Sequence, residues 1–116
     1  MRFLCIYRPS APESDAPPTQ AEMQSMGKLI GEMQQAGVLL AAEGCMSSAH
    51  GVRVRLNNHK FTVTDGPFPE TKELLAGFCL LQVKSKPEAV EWAKRFLAVA
   101  DDGESEVRLL HDVPAA

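Results

Sequence analysis

The stretch Asp65-Gly66-Pro67-Phe68-Pro69-Glu70-Thr71-Lys72-Glu73 lies between two apolar segments and restricts the backbone at several neighbouring positions. Gly66 has no Cβ atom, so it can adopt a positive φ angle. Pro67 and Pro69 each fix their own φ angle and restrict the residue that precedes them. The stretch therefore predicts a stiff turn that carries several charged side chains.

Apolar segments before this turn predict two strands and a helix. Residues 3–7 form a compact apolar run that favours a first strand. Thr19 and Glu22 have the spacing of a capping box, and apolar residues then recur at helical spacing as far as Gly37. The uninterrupted apolar run at residues 38–42 predicts a strand that is buried on both faces.

A hairpin is predicted directly before the stiff turn. Val52, Val54 and Leu56 alternate with polar residues, and Phe61 and Val63 resume the same alternation after a short polar turn. Alternation with a period of two is typical of strands with one apolar and one polar face.

The segments after the stiff turn predict a strand, a helix and a last strand. Residues 77–83 and residues 107–110 are the two apolar strand segments. Ser85 and Glu88 form a second capping-box pattern at the start of the helix between them.

The order of these elements predicts one domain of known architecture. Strand, helix, strand, hairpin, strand, helix and strand is the order of a ferredoxin-like α+β fold, a split βαβ arrangement, with an inserted hairpin. A chain of 116 residues has the usual size of a single domain, here residues 1–116. Two helices would cover one face of the sheet, and the bare second face predicts a homodimer that pairs sheet to sheet.

Composition and charge exclude several classes of partner. The chain is 45% hydrophobic and 23% charged, which is typical of soluble globular proteins. Its net charge of −3 predicts no affinity for nucleic acid or for an anionic membrane, because both require a basic surface. The first apolar run is too short for a signal peptide or a membrane span, so we expect a cytoplasmic protein.

The cysteine pattern predicts neither disulfides nor a metal site. Cys5, Cys45 and Cys79 are odd in number and are flanked by apolar residues in predicted strands, so we expect buried thiols in a reducing compartment. No CxxC motif and no paired histidine and cysteine ligands occur. No pattern in the chain predicts a cofactor.

Two carboxylates are the candidate catalytic residues. Asp65 ends a strand at the stiff turn, where its carboxylate either accepts hydrogen bonds from the following amides or points into a pocket. Glu43 follows the predicted strand at residues 38–42 and is either a solvated strand-end residue or a neighbour of Asp65. Two neighbouring carboxylates can share a proton, which suits general acid and base catalysis.

Four further residues are candidates for substrate binding: Tyr7, Glu70, Thr71 and Lys72. Lys72 can pair with a carboxylate and hold an anionic group while Thr71 caps the next turn. The alternative is that Glu70 and Lys72 belong to a charged, solvated turn. The Tyr7 hydroxyl either reaches the same cavity or is the polar tip of a core residue.

The chain resembles the DGPF branch of the YCII-related proteins over nearly its whole length. The matching segments are Asp65-Gly66-Pro67-Phe68, Glu70-Thr71-Lys72-Glu73, Gly77-Phe78, Ala36-Gly37-Val38-Leu39-Leu40, Glu43-Gly44, Val63-Thr64, Glu88-Ala89-Val90-Glu91-Trp92-Ala93 and Val107-Arg108. The resemblance implies a ferredoxin-like α+β fold that dimerises into an α+β barrel.

The same resemblance implies roles of different classes. Most members of the family are uncharacterised, some are encoded beside or fused to extracytoplasmic-function sigma factors, and a few relatives act on chlorinated aromatic intermediates. The relatives' site is expected to use a histidine on the first helix, and the matching position here is near Met26, so dehalogenation does not carry over.

Two functions follow as expectations. One is a dimer that binds or transforms a small organic molecule in its barrel cavity with carboxylate acid/base residues. The other is a non-catalytic ligand-binding or regulatory dimer associated with an extracytoplasmic-function sigma factor.

Overall fold

A computed structural model describes residues 1–69 and 72–112 of the chain. The strands are β1 (Arg2–Pro9), β2 (Leu39–Gly44), β3 (Val52–Asn57), β4 (Lys60–Asp65), β5 (Gly77–Gln82) and β6 (Gly103–Leu109). The helices are α1 (Gln20–Gln35) and α2 (Lys86–Ala100), and a 3-10 turn at Ser48–His50 precedes β3. In the described part of the chain, neither α-helix is long and apolar enough to cross a membrane.

Four strands form one antiparallel sheet in the order β2-β5-β1-β6. Because β5 lies between β1 and β2, the two βαβ halves of the chain interlock. This is the ferredoxin-like α+β arrangement that the order of elements predicts. β3 and β4 form a separate two-stranded sheet, which is the inserted hairpin.

The core lies between the two helices and one face of the four-stranded sheet. Phe3 and Leu81 are directly opposite each other in β1 and β5, and each is 1% exposed. Leu29 and Met33 of α1 and Ala89 of α2 belong to the same buried cluster. Burying a large apolar side chain contributes about 1.5–3 kcal/mol, so this layer holds the helices on the sheet.

The helix starts are at the predicted residues. Thr19 accepts a hydrogen bond from the Glu22 amide and the Glu22 carboxylate accepts one from the Thr19 amide, which confirms the capping box of α1. Ser85 caps α2 by accepting a hydrogen bond from the Glu88 amide. The Glu88 carboxylate bonds to the Lys84 amide instead of the Ser85 amide, so the second capping box is only half formed.

The burial of β2 differs from the prediction. The apolar run at residues 38–42 indicated a strand buried on both faces, and this prediction is wrong, because β2 lies at an edge of the sheet and Leu40 is 49% exposed. Cys45 follows β2 and is exposed, whereas the sequence predicted a buried thiol. An apolar run does not distinguish an edge strand from a central one.

The run Asp65-Gly66-Pro67-Phe68 folds back onto the 3-10 turn that precedes β3. The Gly66 amide donates a hydrogen bond to the Gly51 carbonyl (2.9 Å), and the Phe68 amide donates one to the Ser48 hydroxyl (2.9 Å). A Cβ atom at Gly66 would lie 1.6 Å from the Ser48 carbonyl oxygen. Gly66 is therefore required by this close backbone contact.

Ser47 and Ser48 join this turn to the proline-rich segment after β1. The Ser48 amide and hydroxyl donate hydrogen bonds to the two carboxylate oxygens of Glu13 (2.8 and 2.6 Å). The Ser47 amide and hydroxyl donate hydrogen bonds to the two carboxylate oxygens of Asp15 (2.7 Å each). These bonds hold the pKa of Asp15 below its usual value. Three loops are thus connected through two serines.

We expect Gly66→Ala to lower the free energy of unfolding by about 1–3 kcal/mol, the usual cost of forcing an atom into a filled space. The added methyl group would overlap a backbone oxygen of Ser48, which cannot move without breaking the turn. Thermal and urea unfolding followed by circular dichroism measure the effect.

Gly31→Ala is the matched control for this substitution. A Cβ atom at Gly31 meets no atom within 4 Å outside its own helix, and alanine in a helix is favoured over glycine by about 0.5–1 kcal/mol. If the Gly66 variant were as stable as the Gly31 variant, the close contact at the turn would not constrain the fold.

Candidate functional site

A cavity of about 260 Å³ lies between the sheet and the two helices. Its aromatic lining residues are Tyr7, Phe78, Trp92 and Phe96, its sulfur-containing lining residues are Cys5, Cys79, Met26 and Met33, and its polar lining residues include Glu43 and Ser105. An apolar cavity of about 150 Å³ holds benzene. The cavity therefore has room for a single substituted ring.

Tyr7 fixes one wall of this cavity. Its ring meets the Phe96 ring edge-on with 5.2 Å between the centroids. Its hydroxyl lies 3.3 Å from the carbonyl oxygens of Ala100, Asp101 and Asp102 and can donate to one of them at a time. Burial raises the pKa of Tyr7, and the charges of the two aspartates raise it further. The hydroxyl thus stays protonated and joins β1 to the end of α2.

Two thiols form the floor of the cavity. Cys5 and Cys79 are directly opposite each other in β1 and β5 and both line the cavity. The hydrogen bond between them raises the pKa of Cys5, with burial acting in the same direction, and lowers the pKa of Cys79. Cys79 is also less buried than Cys5, so it is the more readily ionised thiol of the pair. The sequence indicated thiols in strands, but their pairing depends on strand register and had no local signal.

Glu43 is the candidate catalytic residue that belongs to the lining of the cavity. It is the penultimate residue of β2, lies opposite Phe78 of β5 and has an exposed side chain. A Cβ atom at Gly77 would come within 2.8 Å of the Glu43 carbonyl oxygen, so β2 and β5 approach each other closely here. Glycine at this position allows that approach.

Two other candidate residues, Asp65 and Lys72, lie elsewhere. Asp65 is exposed at the end of β4, opposite Val52 in the hairpin, and does not line the cavity. Lys72 is exposed in the segment between β4 and β5 and does not line it either. Glu70 and Thr71 lie outside the described residues. The structure brings Tyr7 and Glu43 to one cavity, and a proton shared by Asp65 and Glu43 remains a prediction.

A second cavity, of about 470 Å³, lies among the loops that contain the stiff turn. Its lining includes His50, Arg53 and Phe68. The Arg53 guanidinium lies 3.9 Å from the centre of the Phe68 ring, and His50 Nε2 lies 3.2 Å from a carboxylate oxygen of Asp15. The polar and aromatic side chains here are engaged in holding loops together, so the smaller cavity under the helices is the better candidate for a ligand site.

No group of three histidine, cysteine, aspartate or glutamate side chains in the described ranges is placed to hold a metal ion.

We expect Cys79 to be alkylated by iodoacetamide faster than Cys5 in a Cys45→Ser background, because a lower pKa gives more thiolate. Cys5→Ala removes the hydrogen bond that favours this thiolate, so the pH of half-maximal alkylation of Cys79 should rise. Mass spectrometric mapping from neutral to alkaline pH measures both rates.

Cys5→Ser is the control because a hydroxyl still donates a hydrogen bond to Cys79. An identical pH profile for the alanine variant and its parent would show that Cys5 does not stabilise the Cys79 thiolate.

Comparisons with known proteins agree with this fold. The family model of the YCII-related domain matches residues 1–112, and no curated protein matches the chain significantly. A solved structure with a similar fold is 5-chloro-2-hydroxyhydroquinone dehydrochlorinase from Burkholderia phenoliruptrix in complex with 2,5-dihydroxybenzoquinone, at 14% identity and a TM-score of 0.50, over 96% of this chain and 94% of that one. At this identity the likeness shows a shared fold alone. Because the family model spans nearly all of the sequence, the chain belongs to the YCII-related family.

Proposed function

We propose that this protein binds a small ring-shaped organic molecule in the cavity between its sheet and helices and acts on it by proton transfer. The supporting observation is the cavity itself, which is apolar and aromatic and has Glu43 among its lining residues. Ligand sites are usually concave, mostly apolar and equipped with a few polar groups. The structurally similar dehydrochlorinase was determined with a dihydroxybenzoquinone, a molecule that also has a single ring.

Glu43 is the proposed acid or base. A ring packed against Trp92 and Phe96 would direct a hydroxyl or carbonyl substituent towards the polar border of the cavity, where Glu43 lies. A carboxylic acid within reach can then give a proton to the ring carbon beside that substituent, which forms the keto tautomer. The carboxylate can take the other proton from the same carbon, so the ring hydrogen is exchanged and the molecule is restored.

Histidine-dependent dehydrochlorination is not part of this proposal. Met26 lines the cavity near the position where the family resemblance expects a histidine. A thioether does not exchange protons, so this wall of the cavity contributes apolar contact and no acid/base group.

Trp92 provides a direct assay for binding. It is the single tryptophan of the chain and lines the cavity, so its fluorescence reports on a molecule bound there. We expect hydroquinone and catechol, which are colourless, to change Trp92 emission in a saturable way.

Two neighbouring alanines of β2 offer a matched pair of variants for this assay. Ala42 lines the cavity, whereas Ala41 lies opposite Leu80 on the other face of the sheet. Ala42→Phe should fill the cavity and abolish the fluorescence change, and Ala41→Phe should preserve it. Equal responses in the two variants would place the ligand outside this cavity.

Glu43→Gln tests the catalytic part of the proposal because it keeps the size of the side chain and removes its charge. The readout is protein-dependent exchange of ring protons of 2,5-dihydroxybenzoquinone with deuterium, followed by NMR. We expect the protein to accelerate exchange and Glu43→Gln to reduce the acceleration by about a hundredfold or more with binding retained.

Asp65→Asn is the control, since Asp65 does not line the cavity. Binding without any acceleration by the parent protein would contradict the catalytic part and favour a ligand-binding or regulatory role.

A further inference from the structure

Two thiols lie in one row of the sheet beneath the helices. Strand register places Ala42, Cys79, Cys5 and Val107 side by side across β2, β5, β1 and β6. Alternate residues of a strand share a face, and Phe3, two residues before Cys5, is buried in the core under the helices. The row therefore faces the helices. Ala42, a small neighbour of Cys79, lines the cavity together with both cysteines.

The geometry of this pair suits a disulfide. Directly opposed residues of antiparallel strands have Cα atoms about 4.5–5.5 Å apart, and disulfides join Cα atoms that are about 4.4–6.8 Å apart. Opposed side chains also project from the same face of the sheet. The two thiols are already joined by a hydrogen bond. Cys5 and Cys79 can thus exist as two thiols or as one disulfide without a change of strand register.

The position of the pair differs from that of cysteines that only fill a core. Buried cysteines commonly act as small apolar side chains. Here both thiols line a cavity, and Cys79 is only partly buried. The hydrogen bond from Cys5 favours a thiolate on Cys79, and the thiolate is the nucleophilic form of cysteine. Cys79 is therefore placed to attack a molecule in the cavity, with Cys5 beside it as a second thiol.

We propose that Cys5 and Cys79 form a redox pair that reduces a para-benzoquinone bound in this cavity to the hydroquinone. A molecule of this class is a single flat ring, which is the size that the cavity admits. It accepts two electrons and two protons, the number that two thiols release when they form a disulfide. The proposal rests on the proposed function in one respect, because both place a ring in the same cavity.

The reaction balances in two steps. The Cys79 thiolate adds to a ring carbon, so a C–S bond forms, and the displaced electron pair moves to the far carbonyl oxygen, which takes a proton. Cys5 then loses its proton and attacks the Cys79 sulfur, so the S–S bond forms and the C–S bond breaks. The electron pair of the broken bond restores the aromatic ring, and the second oxygen takes a proton. Two thiols are oxidised, and one quinone is reduced.

Tetramethyl-1,4-benzoquinone is the probe for this reaction. All its free ring carbons carry methyl groups, so an adduct cannot lose a ring hydrogen and become a stable thioether. The full chain with Cys45→Ser, reduced and kept free of oxygen, is mixed with this quinone. We expect one quinone to be reduced per chain, measured by its ultraviolet absorbance, and mass spectrometry to find a disulfide between Cys5 and Cys79. Two intact thiols, or an alkylated Cys79 without the disulfide, would overturn the proposal.

The exposed Cys45 supplies a matched control. A chain with Cys5→Ser and Cys79→Ser keeps one thiol that does not line the cavity, and it cannot form an internal disulfide. We expect this chain to reduce the quinone at least about tenfold more slowly than the Cys45→Ser chain. Equal rates would overturn the proposal. The disulfide measured in the Cys45→Ser chain needs no substitution in the core, so it tests the proposal whether or not this control folds.

Two alanine variants of β2 test whether the quinone reacts from the cavity. In the Cys45→Ser background, Ala42→Phe should slow disulfide formation at least about tenfold, because it fills the space beside Cys79, and Ala41→Phe on the other face should leave the rate unchanged. Equal rates would place the reaction outside the cavity and overturn the proposal.

Failure of this proposal is distinguishable from failure of the ligand site. A saturable Trp92 response to hydroquinone, with both thiols left intact by the quinone, would overturn the redox pair and keep the ring-binding cavity. Loss of both the Trp92 response and the disulfide would overturn both proposals.

Discussion

The pairing of β1 with β5 is the interaction on which the rest of the structure depends. Phe3 and Leu81 are fully buried opposite each other and belong to the buried cluster that includes residues of both helices. Further along the same two strands, Cys5 faces Cys79 and forms the floor of the cavity. Tyr7 then faces Gly77, which has no side chain and leaves space at this end. One strand pair thus changes from a packed core to a cavity because the side chains on β5 become smaller.

The two faces of the four-stranded sheet differ in what they contact. The face under the helices supplies the core and the cavity, with aromatic and sulfur-containing side chains around a volume of one ring. The opposite face carries Leu4 and Ile6, which alternate with the buried residues of β1, and the inserted hairpin exposes the apolar side chains of Val54, Phe61 and Val63. Membership of the YCII-related family agrees with the fold, and the proposed function rests on the lining of the cavity.

Local patterns in the sequence predicted local structure well and long-range geometry poorly. The bonds between Thr19 and Glu22, and the alternation of the hairpin, depend on near neighbours, and both were predicted. The exposure of β2, the pairing of the cavity thiols and the bonds from the proline-rich segment depend on strand order and register, which have no local signature. The charged side chains of the stiff turn suggested a reactive site. In the structure, the amides of Gly66 and Phe68 donate hydrogen bonds to Gly51 and Ser48 and so connect two loops.

The central claim is that the cavity between the sheet and the helices is the ligand site. Amide chemical shifts of the ¹⁵N-labelled protein, recorded during a titration with hydroquinone, test it most directly. We expect the largest changes at Cys5, Met26 and Cys79 around the cavity. Largest changes at Ser48 and Phe68, with the amides around the cavity unaffected, would contradict it and move the site to the loops.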